Sequence, residues 1–151
     1  MNRAAVEEVL RRVPDPEIPK VNIVDLGMVQ QLLEEDGKLA ITLIPTFVGC
    51  PAQRVIAGAV ERELKEAFPE YGVTVRFSLE TAWSSVRITD AGRDALRQSG
   101  IAPPGETLQD VACPYCGGQD NLLQNLFGAT SCRSLFYCAR CRNPFEAFKP
   151  L

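Results

Sequence analysis

Residues 38–68, KLAITLIPTFVGCPAQRVIAGAVERELKEAF, decide the fold of the longer part of this chain. Residues 38–45 are typical of a strand, and residues 51–68 repeat apolar side chains at the three- and four-residue spacing of a half-buried helix. The predicted inner face of that helix consists of Val55, Ile56, Ala59, Val60, Leu64, Ala67 and Phe68. Pro51 suits the first helical position, where no amide donor is needed. A strand is therefore expected to pass into a helix through the turn at residues 46–50.

The sequence before this segment predicts a helix and the first half of a hairpin. Asn2 can cap a helix that Pro14 ends, with Val6, Val9, Leu10 and Val13 on its inner face. Residues 28–34 are typical of a strand, and Asp36-Gly37 is a strong turn signal before residues 38–45. The two strands are predicted to form one β-hairpin.

The sequence after the central helix predicts a third strand and a third helix. Residues 73–79, VTVRFSL, alternate apolar and polar side chains. Thr89 can cap a helix over residues 90–99, which Gly100 closes. The order α-β-β-α-β-α predicts an α+β fold, a small two-layer helix/sheet domain over residues 1–100.

A second module is predicted after residue 100. Residues 101–106, IAPPGE, favour a semi-rigid linker, and five of the six cysteines follow within residues 113–151. Four of them form two Cys-x-x-Cys pairs, separated by 21 residues: Cys113, Cys116, Cys138 and Cys141. Two such turns present four thiolates to one tetrahedral ion, which predicts a four-cysteine zinc ribbon over residues 107–151.

The ribbon has little apolar core, so its metal is expected to supply much of its folding free energy. Four thiolates also bind a single iron ion or, less readily, an iron–sulfur cluster, so the metal stays open at this point. Cys132 lies outside both pairs. For this residue a small buried hydrophobe is favoured over a spare ligand or a redox thiol.

Cys50 is the candidate reactive thiol of the first domain. Gly49 allows a sharp turn before it, and the predicted helix that follows offers free amides and a dipole that lower the pKa of a thiol. Thr46 is close enough in sequence to offer a hydroxyl to the same pocket. The alternative, a cysteine simply packed under the turn, is equally compatible with the spacing.

Asp15-Pro16-Glu17 holds two carboxylates on a loop stiffened by prolines. These groups can coordinate a metal, orient Cys50 or remain solvated, and the solvated interpretation is slightly favoured for the motif alone. Asp25 is expected in a turn, and Trp83 at the edge of the core.

Charge and composition exclude several classes of protein. The chain has no His, which removes every mechanism that depends on imidazole. The net charge is −3, and residues 111–151 carry four basic against two acidic side chains, which is weak for a nucleic-acid binder. No segment approaches 18 consecutive apolar residues, so no membrane partner is expected. The sequence predicts a cytoplasmic protein whose cysteines stay reduced.

Taken together, these motifs resemble known families. Residues 15–19 (DPEIP), 22–29 (NIVDLGMV) and 46–52 (TFVGCPA) are similar to the iron–sulfur assembly domain family that includes the SufT proteins. With the stretch from Trp83 through Pro104 and the four-cysteine tail, nearly the whole chain resembles the PaaD family. Members of that family accompany the multicomponent phenylacetyl-CoA ring epoxidase of aerobic phenylacetate degradation.

The resemblance implies an accessory protein rather than an enzyme, which assembles or delivers an iron–sulfur or iron centre to epoxidase components, especially the iron–sulfur reductase. It implies Cys50 as the functional thiol, Asp15 and Glu17 as its acidic loop, Thr46 as a pocket residue, and a transient iron or cluster at Cys50. A single thiol cannot satisfy a cluster, so a homodimer or a partner-shared site is expected. Two alternatives stay open: a structural or regulatory epoxidase subunit without metal transfer, and a zinc-ribbon nucleic-acid binder.

Overall fold

The computed structural model describes residues 2–150, and the chain divides after Trp83 into two compact units. The first unit contains α1 (Arg3–Leu10), β1 (Val29–Glu35), β2 (Lys38–Leu43), α2 (Gln53–Ala67) and β3 (Gly72–Phe77). Its three strands form one sheet in the order β1-β2-β3. Strands β1 and β2 are antiparallel, whereas β3 runs parallel to β2.

Local signals explain most of the boundaries in the first unit. The Asn2 side chain accepts a hydrogen bond from the Ala4 amide and caps α1, as predicted. Asp36 and Gly37 both have positive φ, 49° and 73°, which matches the twist of a tight hairpin. Because β2 and β3 are parallel, the chain between them crosses over through α2.

The core of the first unit lies between the helices and one face of the sheet. Leu39, Ile41 and Leu43 of β2 are buried together with Ile56, Val60 and Leu64 of α2. Trp83 is 6% exposed, and its Nε1 donates to the Leu26 carbonyl at 2.7 Å, which confirms its expected core position. Val55 was expected on the inner face of α2, and this was wrong: its side chain is 61% exposed.

The second unit begins with a short 3-10 helix, Ser85–Arg87, and continues through α3 (Asp90–Gln98). Four strands follow, in the sheet order β4-β7-β6-β5: β4 (Ile101–Ala102), β5 (Asn121–Asn125), β6 (Arg133–Cys138) and β7 (Pro144–Phe148). As predicted, Thr89 caps α3 by accepting from the Gly92 amide, and Gly100 follows with φ of 75°. The antiparallel β5, β6 and β7 form the ribbon.

Two boundaries differ from expectation. The predicted linker, residues 101–106, begins with Ile101 and Ala102, which are buried and pair with β7. The chain also divides after Trp83 rather than near residue 100, so α3 belongs to the second unit. That residues 1–100 fold by themselves, with 107–151 as the ribbon, stays a prediction that limited proteolysis would test. Within residues 2–150, every helix is too short or too polar to cross a lipid bilayer.

Candidate functional site

The four cysteines of the Cys-x-x-Cys pairs meet in the ribbon. The sulfurs of Cys113, Cys116, Cys138 and Cys141 all lie within 4.8 Å of one another. The Sγ atoms of Cys113 and Cys141 are 3.7 Å apart, and those of Cys116 and Cys138 are 3.6 Å apart. A tetrahedral ion with metal–sulfur bonds of about 2.3 Å requires about 3.8 Å between its sulfurs, so the residues present fit zinc.

The backbone repeats the same geometry around both pairs. The Cys113 amide donates to Gly118 O at 2.9 Å, and the Cys138 amide donates to Asn143 O at 3.0 Å. Gly117, with φ of 74°, and Arg142, with φ of 63°, occupy equivalent left-handed positions. The two turns are therefore equivalent halves of one metal site.

Proton affinities within the cluster are unequal. Burial raises the pKa of the Cys113 thiol to about 11. Burial acts in the same direction on Cys141, but hydrogen bonds from Asn143 and the neighbouring thiols outweigh it and lower its pKa to about 6. A metal ion that binds all four sulfurs must therefore displace protons, above all from Cys113.

The left-handed residues offer a matched pair of variants. Arg142→Gly is expected to raise the free energy of unfolding by about 0.5 kcal/mol, because glycine relieves the strain of a side chain at positive φ. Gly117→Ala is expected to lower it by about 1 kcal/mol for the same reason. An added Cβ at Gly117 would meet nothing within 4 Å, so conformation alone is tested. Urea denaturation with excess zinc measures both values, and equal signs would contradict the expectation.

Cys50 lies in the loop that connects β2 to α2. Helix α2 begins at Gln53 with Ala52 as its cap, two residues later than the sequence predicted. Cys50 therefore precedes the helix, and its amide donates to Phe47 O at 3.1 Å. The Cys50 side chain is half-buried, whereas Thr46 in the same loop is buried.

The Asp15-Pro16-Glu17 loop lies close enough to Cys50 to influence its charge. Asp15 is 8% exposed, and its Oδ1 accepts from the Glu17 amide at 2.8 Å and the Ile18 amide at 3.1 Å. Asp15 therefore also shapes this loop, beyond the solvated carboxylate that the motif alone favoured. Glu17 is exposed.

The predicted lowering of the Cys50 pKa was wrong in direction. Desolvation by burial raises the pKa, and the negative charges of Asp15 and Glu17 raise it further. A backbone hydrogen bond from Ala52 opposes these effects but is outweighed. Cys50 is therefore a protonated thiol at neutral pH, which becomes a good ligand when a metal replaces the proton.

Alkylation of Cys50 should show this raised pKa. In the zinc-loaded protein, iodoacetamide is expected to modify Cys50 slowly at pH 7, with the rate increasing about tenfold per pH unit to pH 9. Glu17→Gln is expected to speed the reaction at pH 8, because it removes a charge that raises the pKa. Glu35→Gln, at the hairpin end of the sheet, is the matched control. Mass spectrometry of the Cys50 peptide gives the rates, and a rate independent of pH would contradict the expectation.

Some residues that shape the metal site escaped the sequence analysis. The Asn143 side chain donates to Cys141 Sγ at 3.5 Å. Asn121 Nδ2 donates to Val111 O and Gly118 O, both at 2.9 Å, and so holds the first turn closed. Asn143 follows Cys138 at the same spacing as Gly118 follows Cys113, a signal that could have identified it. Nothing in the sequence around Asn121 points to its role.

Comparisons with known proteins agree with this architecture. Residues 3–77 match the family model of the iron–sulfur cluster assembly protein, and residues 101–149 match that of the PaaD zinc β-ribbon domain. The chain is 37% identical over 150 residues to an Escherichia coli K12 protein whose name makes it a subunit of a putative 1,2-phenylacetyl-CoA epoxidase. The match covers 93% of this chain and 88% of that protein.

Two further relatives match the first part of the chain. The Fe-S protein maturation auxiliary factor YitW of Bacillus subtilis 168 is 31% identical over 88 residues, which are 58% of this chain and 85% of that protein. A crystal structure of the domain of unknown function DUF59 from Bacillus anthracis is 30% identical, with a TM-score of 0.57. It covers 62% of this chain and 89% of its own.

Fold and site thus define a class of protein: an iron–sulfur cluster assembly domain joined to a four-cysteine zinc ribbon. Within that class, the chain belongs to the PaaD family.

Proposed function

We propose that this chain is a cytoplasmic, non-catalytic maturation factor for a multicomponent phenylacetyl-CoA epoxidase. It takes up iron or an iron–sulfur cluster at Cys50 and passes it to an epoxidase component, foremost the iron–sulfur reductase. The name of the Escherichia coli relative and the family of residues 3–77 support this role. The observation that carries it is the half-exposed thiol of Cys50, located beside Asp15 and Glu17 in the assembly-type unit.

The chemistry of this pocket suits temporary rather than permanent binding. One thiol with two nearby carboxylates provides fewer soft ligands than the four that a cluster takes. The remaining ligands must come from a second copy of the chain or from the client. The raised pKa also makes the proton compete with the metal, which favours release. The four-cysteine site instead holds one zinc ion that stabilises the ribbon.

Anaerobic reconstitution with iron and sulfide tests this function. The protein is first loaded with zinc, so that the four-cysteine site is occupied. The parent chain and Cys132→Ala are expected to bind iron and sulfide, whereas Cys50→Ala loses most of both and keeps about one zinc per chain. Cys132 is the matched control because it is also a half-buried cysteine outside the four-cysteine site.

Transfer is then followed to the metal-free iron–sulfur reductase by its absorbance and activity. Cys50→Ala is expected to abolish transfer and Cys132→Ala to leave it unchanged. Full loading or full transfer with Cys50→Ala would refute the role of Cys50.

A second candidate function is a structural or regulatory subunit of the epoxidase, favoured by the word subunit in the name of the Escherichia coli relative. In that case the chain co-purifies with the epoxidase at fixed stoichiometry, and Cys50→Ala leaves activity unchanged. A maturation factor dissociates once its client is loaded. Size-exclusion chromatography of the reconstituted components separates the two.

A further inference from the structure

The ribbon sheet has apolar side chains exposed along one edge. Leu122 of β5 is 53% exposed, and Leu126 and Phe127, which follow β5 directly, are 49% and 61% exposed. We call the free edge of Asn121–Asn125 together with Leu126 and Phe127 the β5 surface. Large apolar side chains grouped at an exposed position mark interaction sites in soluble proteins.

The β5 edge lacks the usual protection against pairing with another strand. Its sequence, NLLQN, contains neither a charge nor a proline, although a register shift between Leu123 and Asn125 bends it. The opposite edge of the same sheet is β4, which has only two residues, both buried. In the first unit, the outer strand β1 carries Glu34 and Glu35. The β5 edge is therefore a ready template for an additional strand.

A positive charge lies at each end of the β5 surface. Arg140 packs beside Gly118 just before β5, since a Cβ added to that glycine would lie 3.1 Å from Arg140 Cδ. At the other end, the Lys149 ammonium is 4.0 Å from the centre of the Phe127 ring. Five strand residues span about 17 Å, which is the approximate separation of these charges along the edge.

We infer that the β5 surface binds an extended, acidic segment of a partner protein by strand addition. The backbone of the segment pairs with the free edge of β5, its apolar side chains contact Leu122 and Phe127, and its carboxylates pair with Arg140 and Lys149. A second copy of this chain fits poorly. Pairing two β5 edges in antiparallel fashion places Arg140 of one copy opposite Lys149 of the other, and these charges repel.

The test uses the zinc-loaded full chain and a fluorescent octapeptide of alternating valine and glutamate as the probe. Fluorescence anisotropy at low salt is expected to show saturable binding. An octapeptide of alternating valine and lysine, and a valine–glutamate octapeptide N-methylated at every second residue, are expected to bind about tenfold or more weakly. The N-methyl groups block one hydrogen-bonding edge without changing the charge.

Variants of the chain then locate the site. Arg140→Glu and Lys149→Glu are each expected to weaken binding about fivefold or more, and Leu122→Lys to abolish it while the ribbon stays folded. Arg62→Glu on α2 is the matched control and should leave affinity unchanged. A zinc content of about one per chain confirms that each variant is folded.

Several outcomes would overturn the inference. These are equal binding of the N-methylated octapeptide, insensitivity to both charge reversals, and absence of saturable binding. A dimer that forms without the octapeptide and dissociates with Leu122→Lys would also overturn it, because the occupant would then be a second copy. None of these outcomes depends on whether Cys50 binds a metal, so this inference can fail independently of the maturation function.

Discussion

Removal of zinc is expected to unfold the ribbon and to leave the first unit folded. The ribbon core is small: Ala102, Val111, Cys113, Phe136, Cys138, Phe145 and Ala147. Two of these residues are themselves metal ligands, so the metal–thiolate bonds replace much of the missing apolar burial. Their loss is expected to cost on the order of 10 kcal/mol, more than a domain of this size can spare.

Two residues report separately on the two units. Trp83 is the only tryptophan of the sequence and is buried in the first unit, so its emission follows that unit alone. Arg133 is 7% exposed in β6, so trypsin can cut after it only when the ribbon opens. After treatment with a strong chelator, cleavage after Arg133 is expected within minutes while Trp83 emission stays unchanged.

Two serine substitutions provide the matched comparison. Cys138→Ser removes a buried ligand and is expected to have the same effect as the chelator. Cys132→Ser makes the same chemical change outside the quartet and is expected to keep Arg133 protected. The expectation fails if Arg133 stays resistant after zinc loss, or if Trp83 emission shifts to the red together with the cleavage.

The second large effect concerns a buried ion pair that supports the β5–β6 turn. Arg133 Nη1 donates to Glu146 Oε1 at 3.2 Å, and its Nε donates to Thr130 Oγ1 at 3.0 Å. Glu146 Oε2 accepts from the Ala129 amide at 2.7 Å. Arg133→Met leaves the carboxylate of Glu146 without its cation and is expected to lower the free energy of unfolding by about 3 kcal/mol.

A double-mutant cycle separates the ion pair from simple packing. Glu146→Gln keeps an oxygen acceptor for the Ala129 amide but removes the charge, so the double variant Arg133→Met/Glu146→Gln is expected to recover about 2 kcal/mol. Arg140→Met, at an exposed site of the same ribbon, is the control and should cost less than about 0.5 kcal/mol. Urea denaturation with excess zinc gives all four values. A similar cost for both arginine substitutions, or the absence of coupling, would contradict the prediction.

The sequence predicted those features whose cause is local. The caps at Asn2 and Thr89 and the Asp36–Gly37 turn depend on side-chain type and backbone freedom within a few residues. The four-cysteine cluster is also encoded by spacing, because each Cys-x-x-Cys turn presets two ligands before the ribbon folds.

Features that depend on distant parts of the chain were predicted less well. Periodicity placed Val55 on the inner face of α2, but the helix begins only at Gln53 and the residue lies in its exposed first turn. The linker prediction failed at Ile101 and Ala102 because their strand partner, β7, lies more than forty residues further along the chain. Composition alone carries no information about such a partner.

The sequence by itself determined the α+β pattern, the ribbon and the identity of the candidate residues, because propensities, turn chemistry and ligand spacing act over short segments. Only the tertiary structure decided the parallel pairing of β2 with β3 and the boundary after Trp83. It also reversed the predicted direction of the Cys50 pKa shift. A pKa reflects the burial of the group and every charge close to it in space, and the charges of Asp15 and Glu17 come close to Cys50 only when the chain folds.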